Sequence, residues 1–202
     1  MLLGSVTFTG DGCPKKDSFE VSLTPRNEIQ VVYSDLSLSG TSLSSTKNCT
    51  LKVTLVIPVG YRIEIQTAQL RAKHAVSAGT KATIRFAMGT TATFRPSDEE
   101  LKAIGKMIGA VAPERDHPKI QTMLSANYSV DETGTFSKKL DLSPINETFF
   151  LSNSATSSAI PTIVFSLGAI LTADPSNRSS VTFNNEELGA PAISIGFKLS
   201  RE

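Results

Sequence analysis

Between residues 50 and 66 the chain alternates at almost every step. In "TLKVTLVIP", Leu51, Val53, Leu55 and Ile57 share one parity, and Thr50, Lys52 and Thr54 take the other. After "PVG" at 58–60, Tyr61, Ile63 and Ile65 alternate with Arg62, Glu64 and Gln66. A period of two marks a strand with one buried face; an amphipathic helix repeats its apolar positions every three to four residues. With proline and glycine supplying a turn between them, the two runs read as a hairpin.

The pattern recurs along the chain. Apolar residues of one parity are Phe19, Val21 and Leu23 in "SFEVSLT", and Leu70, Ala72 and Val76 in "AQLRAKHAV", where His74 shares their parity. They are Ile84, Phe86 and Met88 in "KATIRFAM", Leu124, Ala126, Tyr128 and Val130 in "TMLSANYSV", and Ile193, Ile195, Phe197 and Leu199 in "AISIGFKLS". Turn-forming clusters such as "TPRN", "SAGTK", "DETG" and "ADPSNRS" separate the runs. The prediction is an all-β fold, an antiparallel β-sandwich of about ten strands. "TIVFSLGAIL" is apolar on both parities and reads as a central strand covered on both faces. It is too short to cross a bilayer, and no run of about eighteen apolar residues exists, so no transmembrane helix is expected. At 202 residues the chain fits one domain over 1–202 with a single core.

One segment departs from this pattern. In "RPSDEELKAIGKMIGAVAP", Ser97 and Glu100 form a capping box behind Pro96, and Leu101, Ile104, Ile108 and Val111 recur at helical spacing. One inserted amphipathic helix is predicted near residues 97–111. Gly105 and Gly109 each cost it about 1 kcal/mol against alanine, so it needs a surface to lean on. Two roles fit: a plug over an open end of the sandwich, or a lid or partner-docking helix.

Twenty Lys and Arg against nineteen Asp and Glu leave a formal charge of +1, which lacks the basic field that a nucleic acid demands. Ser and Thr together number 46 and Trp is absent, the look of a hydroxyl-covered exported β-protein. "MLLGSVTFTG" is too short and too polar for a signal peptide, so export implies a leader already removed.

Cys13 in "TGDGCPKK" and Cys49 in "STKNCTLKV" are the only cysteines. Zinc sites draw ligands in close local pairs, whereas Cys13, Cys49, His74 and His117 are scattered singly, so no metal is expected. A reactive thiol needs a base and a lowered pKa, and neither a helix start nor a basic cluster adjoins either cysteine. A disulfide fits better: Cys13 follows the turn that ends the strand "SVTFT", Cys49 opens the next run on its core parity, and two strand ends of one sandwich lie close. Such a bond persists only in an oxidising compartment. From spacing alone, two unpaired buried thiols in a cytosolic protein stay open as the alternative.

The stretch "GSVTFTGDGCP" followed by "FEVSLTPRNEIQVVYSDLSLSGTSLSSTKNCTLKVTLVIPVGYRIEI" resembles the opening of the secreted proteins grouped as the domain of unknown function 4360 family. The matching residues are Gly10, Gly12, Cys13 and Pro14, then Asn48 and Cys49, then Pro58, Gly60 and Tyr61, within about residues 4–90. The resemblance implies export and a β-rich domain, and favours the bridge over free thiols. It lends no activity and no catalytic residues. Members commonly carry a further cysteine and a tryptophan toward the C-terminus; this chain has neither.

No nucleophile elbow, metalloprotease helix, P-loop or dinucleotide fingerprint occurs, and Asp11 with Asp17 is too sparse for a calcium loop. Neither catalytic residues nor cofactors are predicted. Glu64, Glu186 and Glu187 read as solvated surface charge. Asn48, Asn127, Asn146 and Asn177 each open an N-x-[ST] triplet, where about two are expected by chance. The expectation is a secreted or cell-surface, non-catalytic sandwich that is structural or binds an extracellular or envelope macromolecule. A carbohydrate-binding module is the first alternative, weakened because Tyr33, Tyr61 and Tyr128 are its only candidates for a sugar platform. An enzyme of unrecognised type is the second, with His74, His117, Asp116 or Glu114 as participants.

Overall fold

The computed structural model describes residues 1–34, 36–40, 45–77, 80–92, 121–142, 151–153, 161–172, 179–184 and 188–201. Among them run thirteen strands: β1 (Leu2–Thr9), β2 (Phe19–Leu23), β3 (Glu28–Tyr33), β4 (Ser37–Gly40), β5 (Ser45–Val56), β6 (Tyr61–Ala75), β7 (Lys81–Ala92), β8 (Gln121–Val130), β9 (Gly134–Lys139), β10 (Leu151–Asn153), β11 (Pro161–Thr172), β12 (Ser179–Thr182) and β13 (Ile193–Arg201). The fold is all-β and antiparallel, and two sheets form a sandwich. The count exceeds the expected ten because short strands such as β4, β10 and β12 are too brief to show alternation. The predicted helix near 97–111 lies outside the described residues.

One sheet has five strands in the order β1-β5-β11-β7-β8; the other has eight, with the path β2-β3-β13-β6-β12-β4 and with β9 and β10 also on β6. The fifteen-residue β6 is long enough to take two partners on each edge, β13 and β12 on one side, β10 and β9 on the other.

The expected hairpin around Pro58 is corrected. β5 belongs to the five-stranded sheet and β6 to the eight-stranded one, so the tight turn closed by the Tyr61 amide on the Pro58 carbonyl (3.1 Å) carries the chain from sheet to sheet. Alternation identifies two half-buried strands equally well whether they pair edge to edge or face each other across a core.

The core lies between the sheets. Cys49, Leu51, Val53 and Leu55 of β5 meet buried residues of the facing sheet, among them Ile63, Ile65, Leu70, Ile193 and Ile195, in one continuous cluster. β11 takes the central place its sequence predicts: Ile163, Phe165, Leu167, Ala169 and Leu171 are buried inward. On its other parity Val164 is buried, but Ser166 and Ile170 are half-buried, so its outer face is only partly covered.

Tyr33 of β3 is fully buried, and its phenol oxygen has no hydrogen-bond partner among the described residues. Burial pushes its ionisation well above the ordinary tyrosine value. The folded state therefore keeps the proton at a pH where the unfolded chain loses it. Stability is full below the unfolded value, about 10, and falls above it by about 1.4 kcal/mol per pH unit until the folded value is reached. Tyr33→Phe is expected to remove this alkaline loss and to leave neutral-pH stability unchanged or raised by up to about 1 kcal/mol. Urea titrations of both proteins from pH 8 to about 11 read the difference; parallel curves for the two would refute it.

Candidate functional site

Sequence and structure meet first at the cysteines. Cys13 and Cys49 are joined in a disulfide with their Cα atoms 5.3 Å apart, inside the range that an unstrained bridge spans, and both are buried. The turn that carries Cys13 continues where β1 stops. β1 pairs with β5 only as far as Thr9 opposite Thr50, which leaves the β5 edge open at Asn48. There the Gly12 amide donates to the Asn48 carbonyl (2.6 Å), and the Asn48 amide donates to the Asp11 carboxylate (2.8 Å). Both backbone groups of Asn48 are thus held by the Gly-Asp-Gly-Cys turn, with the disulfide one residue further on. Glycine at position 12 is demanded by this approach, because a Cβ there would stand 2.7 Å from the Asn48 carbonyl oxygen. Gly10 adopts a positive φ of 124°, which other residues rarely reach.

Asn48 is exposed on the outer face of the five-stranded sheet, at the side of a trough of about 420 Å³. Strand register builds that trough. Gly168 of β11 lies opposite Asn48 on β5 and opposite Arg85 on β7, and Arg85 lies opposite Asn127 on β8. Asn48, Gly168, Arg85 and Asn127 therefore form one row across four strands, about 14 Å long at ordinary strand spacing. Two residues along, Thr50, Ser166, Ala87 and Ser125 form the next row, in which the Thr50 hydroxyl donates to Ser166 (3.1 Å). Small residues in mid-sheet, Gly168 and Ala87, leave the floor low, while Asn48, Arg85 and Asn127 stand around it. At Gly168 the packing permits nothing larger, since a Cβ would meet the Lys47 carbonyl oxygen at 2.6 Å.

The chemistry available is that of amides, hydroxyls and a guanidinium. Asn48, Asn127, Ser125 and Thr46 donate and accept hydrogen bonds, and Arg85 offers a planar fork of donors. The tyrosines are elsewhere: Tyr33 is in the core, and Tyr128 packs on Phe136 with ring centroids 4.9 Å apart. His74 stands on β6 of the other sheet, nearly buried, its Nδ1 against the Glu132 carbonyl oxygen. Glu64 of that sheet is half-buried. Glu114, Asp116, His117, Asn146, Asn177, Glu186 and Glu187 lie outside the described residues. No group of three or more His, Cys, Asp or Glu placed to hold a metal occurs among the described residues, and no described helix is long and apolar enough to cross a membrane.

Of the trough residues, sequence reasoning singles out Asn48 and Asn127, and only as N-x-[ST] triplets. Arg85, Ser125, Ser166 and Gly168 carry no local motif; their outward parity was readable, but their assembly depends on three strand registers.

These features define a disulfide-clamped antiparallel β-sandwich with a polar trough across one outer sheet face. A family model described as Domain of unknown function (DUF4360) matches residues 1–135, and the chain belongs to that family. The match extends past the N-terminal resemblance and takes in β7 and β8, hence Arg85 and Asn127 as well as Asn48. No curated protein matches the chain. Among solved structures, TmCBM61 in complex with beta-1,4-galactotriose is similar at 14% identity and TM-score 0.28, over 98% of this chain and 88% of that one. The family 11 carbohydrate-binding module from Clostridium thermocellum, in complex with a beta-1,3-1,4-mixed-linked tetrasaccharide, is similar at 12% identity and TM-score 0.24, over 94% and 87%. At such TM-scores these likenesses decide nothing about this chain.

Proposed function

We propose that this protein is an exported, non-catalytic binding domain, one sandwich over residues 1–202, which holds an extracellular or envelope macromolecule in the trough of its five-stranded sheet. The observation that carries the reading is the clamp on Asn48. The turn residues Gly10, Asp11, Gly12 and Cys13 fix the strand end that presents Asn48 at the trough. The bridge supports export, because a disulfide is kept only where the surroundings are oxidising. Rigid strands presenting polar groups suit binding, since such side chains lose little freedom on contact.

Within this reading a carbohydrate is the favoured class of ligand. A lining of amides and hydroxyls matches a chain of hydroxyls that both donate and accept.

Labelled protein is expected to be retained on intact cells and envelope fractions, without hydrolysing them. Ser125→Phe, which adds bulk at an exposed lining position, is expected to abolish retention while leaving thermal unfolding within a few degrees. Retention unchanged by this substitution, or absent from the wild type, overturns the proposal.

A further inference from the structure

The five strands of the trough-bearing sheet contain Lys47, Lys52, Lys81 and Arg85 but not one Asp or Glu. The other sheet mixes signs, with Glu20, Glu28 and Glu64 among its basic residues. In the trough sheet Lys52, Lys81 and Arg85 are exposed, and all three have outward parity. Arg85 stands between Gly168 and Asn127 in the row that begins at Asn48, so the one guanidinium of these five strands is at the trough itself. Asp11, in the turn beside Asn48, is engaged by the Asn48 amide.

Resting on the trough reading above, we infer that the ligand is an anionic polysaccharide, a polyhydroxylated chain bearing carboxylate or sulfate groups. Two observations converge on it. Among the described residues, the five strands of this face present exposed Lys52, Lys81 and Arg85 and no acid, a positive charge that attracts an anionic chain and places a bidentate donor where an acidic substituent can dock. Among the described residues that line the trough no aromatic ring is exposed, Phe86 being buried, so charge takes the place of the stacking by which proteins commonly hold neutral sugars. Arg85 takes the acidic group; Asn48, Asn127 and Ser125 take the hydroxyls around it.

Calorimetry with polygalacturonate, dextran sulfate, neutral dextran and polyglutamate tests the inference on wild type, Arg85→Gln, Asn127→Ala and Lys198→Gln. One or both acidic polysaccharides are expected to bind, telling a carboxylate from a sulfate source. Arg85→Gln is expected to weaken that binding at least about tenfold, the worth of a hydrogen bond to a charged group. Lys198→Gln, on the other sheet, is expected to change it less than twofold, and added salt to weaken it. Because Arg85 is exposed, unfolding of Arg85→Gln should match the wild type. Binding of neutral dextran that Asn127→Ala removes and Arg85→Gln does not would overturn the anionic inference while the trough reading stands. Equal binding of polyglutamate would point to a protein partner and overturn it. So would no binding of either acidic polysaccharide. Binding indifferent to both Arg85→Gln and Asn127→Ala defeats the inference and the trough reading together.

Discussion

Replacing Cys13 and Cys49 together by alanine is expected to lower stability by about 4 kcal/mol. The bridge closes a loop with a sequence separation of 36, and closing a loop of that length removes about that much entropy from the unfolded chain. The native state loses something further that the chain-entropy figure omits. With the bridge gone, the turn that caps both backbone groups of Asn48 is held only by its own hydrogen bonds. Two readouts separate the effects. Urea unfolding of the double variant reports the total, and amide hydrogen exchange at Gly12 and Asn48 reports the local loosening, which should exceed the exchange change in the middle of β11 beyond its global component. Ligand affinity at the trough should fall along with protection of the Asn48 amide. A midpoint unchanged in the double variant would show that the bridge contributes nothing to the folded chain.

What the sequence could disclose was whatever a strand determines alone. The parities of Leu51, Val53 and Leu55, of Ile84, Phe86 and Met88, and of Ile193 and Ile195 all point to the core as read, because facing a core is a property of one strand and its period. The β11 segment announced its central place because residues on both parities had to be apolar or small. Partner choice between strands leaves a much weaker trace. Nothing local distinguishes β5 and β6 as members of different sheets, since an apolar face is satisfied equally by a neighbour in its own sheet or by one across the core. The trough inherits that silence. Gly168 falls between Asn48 and Arg85 only after β11 has paired in register with both β5 and β7, segments more than a hundred and more than seventy residues away along the chain. The absence of acids from β1, β5, β7, β8 and β11 was present in the sequence throughout, but it becomes one charged face only when those five runs are known to share a sheet.

The second large effect is expected on the other side of β11. Phe165 is fully buried between Leu51 of β5 and Met88 of β7, its register partners in the central strand of the five-stranded sheet. Truncation to alanine removes the ring from a site hemmed in by two paired strands and by the facing sheet, so the surroundings can collapse only partly. Phe165→Ala is expected to cost about 3–5 kcal/mol, the transfer of the ring plus the cavity left behind. The adjacent residue gives the control. Ser166 points to the trough, and Ser166→Ala forfeits only the bond from Thr50, so about 1 kcal/mol or less is expected. Chemical denaturation of the two variants reads both values on one scale. Neighbouring positions on one strand should thus divide cleanly: the Phe165 change acts on the folding equilibrium and leaves the affinity of the folded fraction intact, while changes on the outer parity act on binding. Equal costs at 165 and 166 would mean that β11 does not separate a core face from a trough face, and the placement of Gly168 at the floor of the binding surface would fall with it.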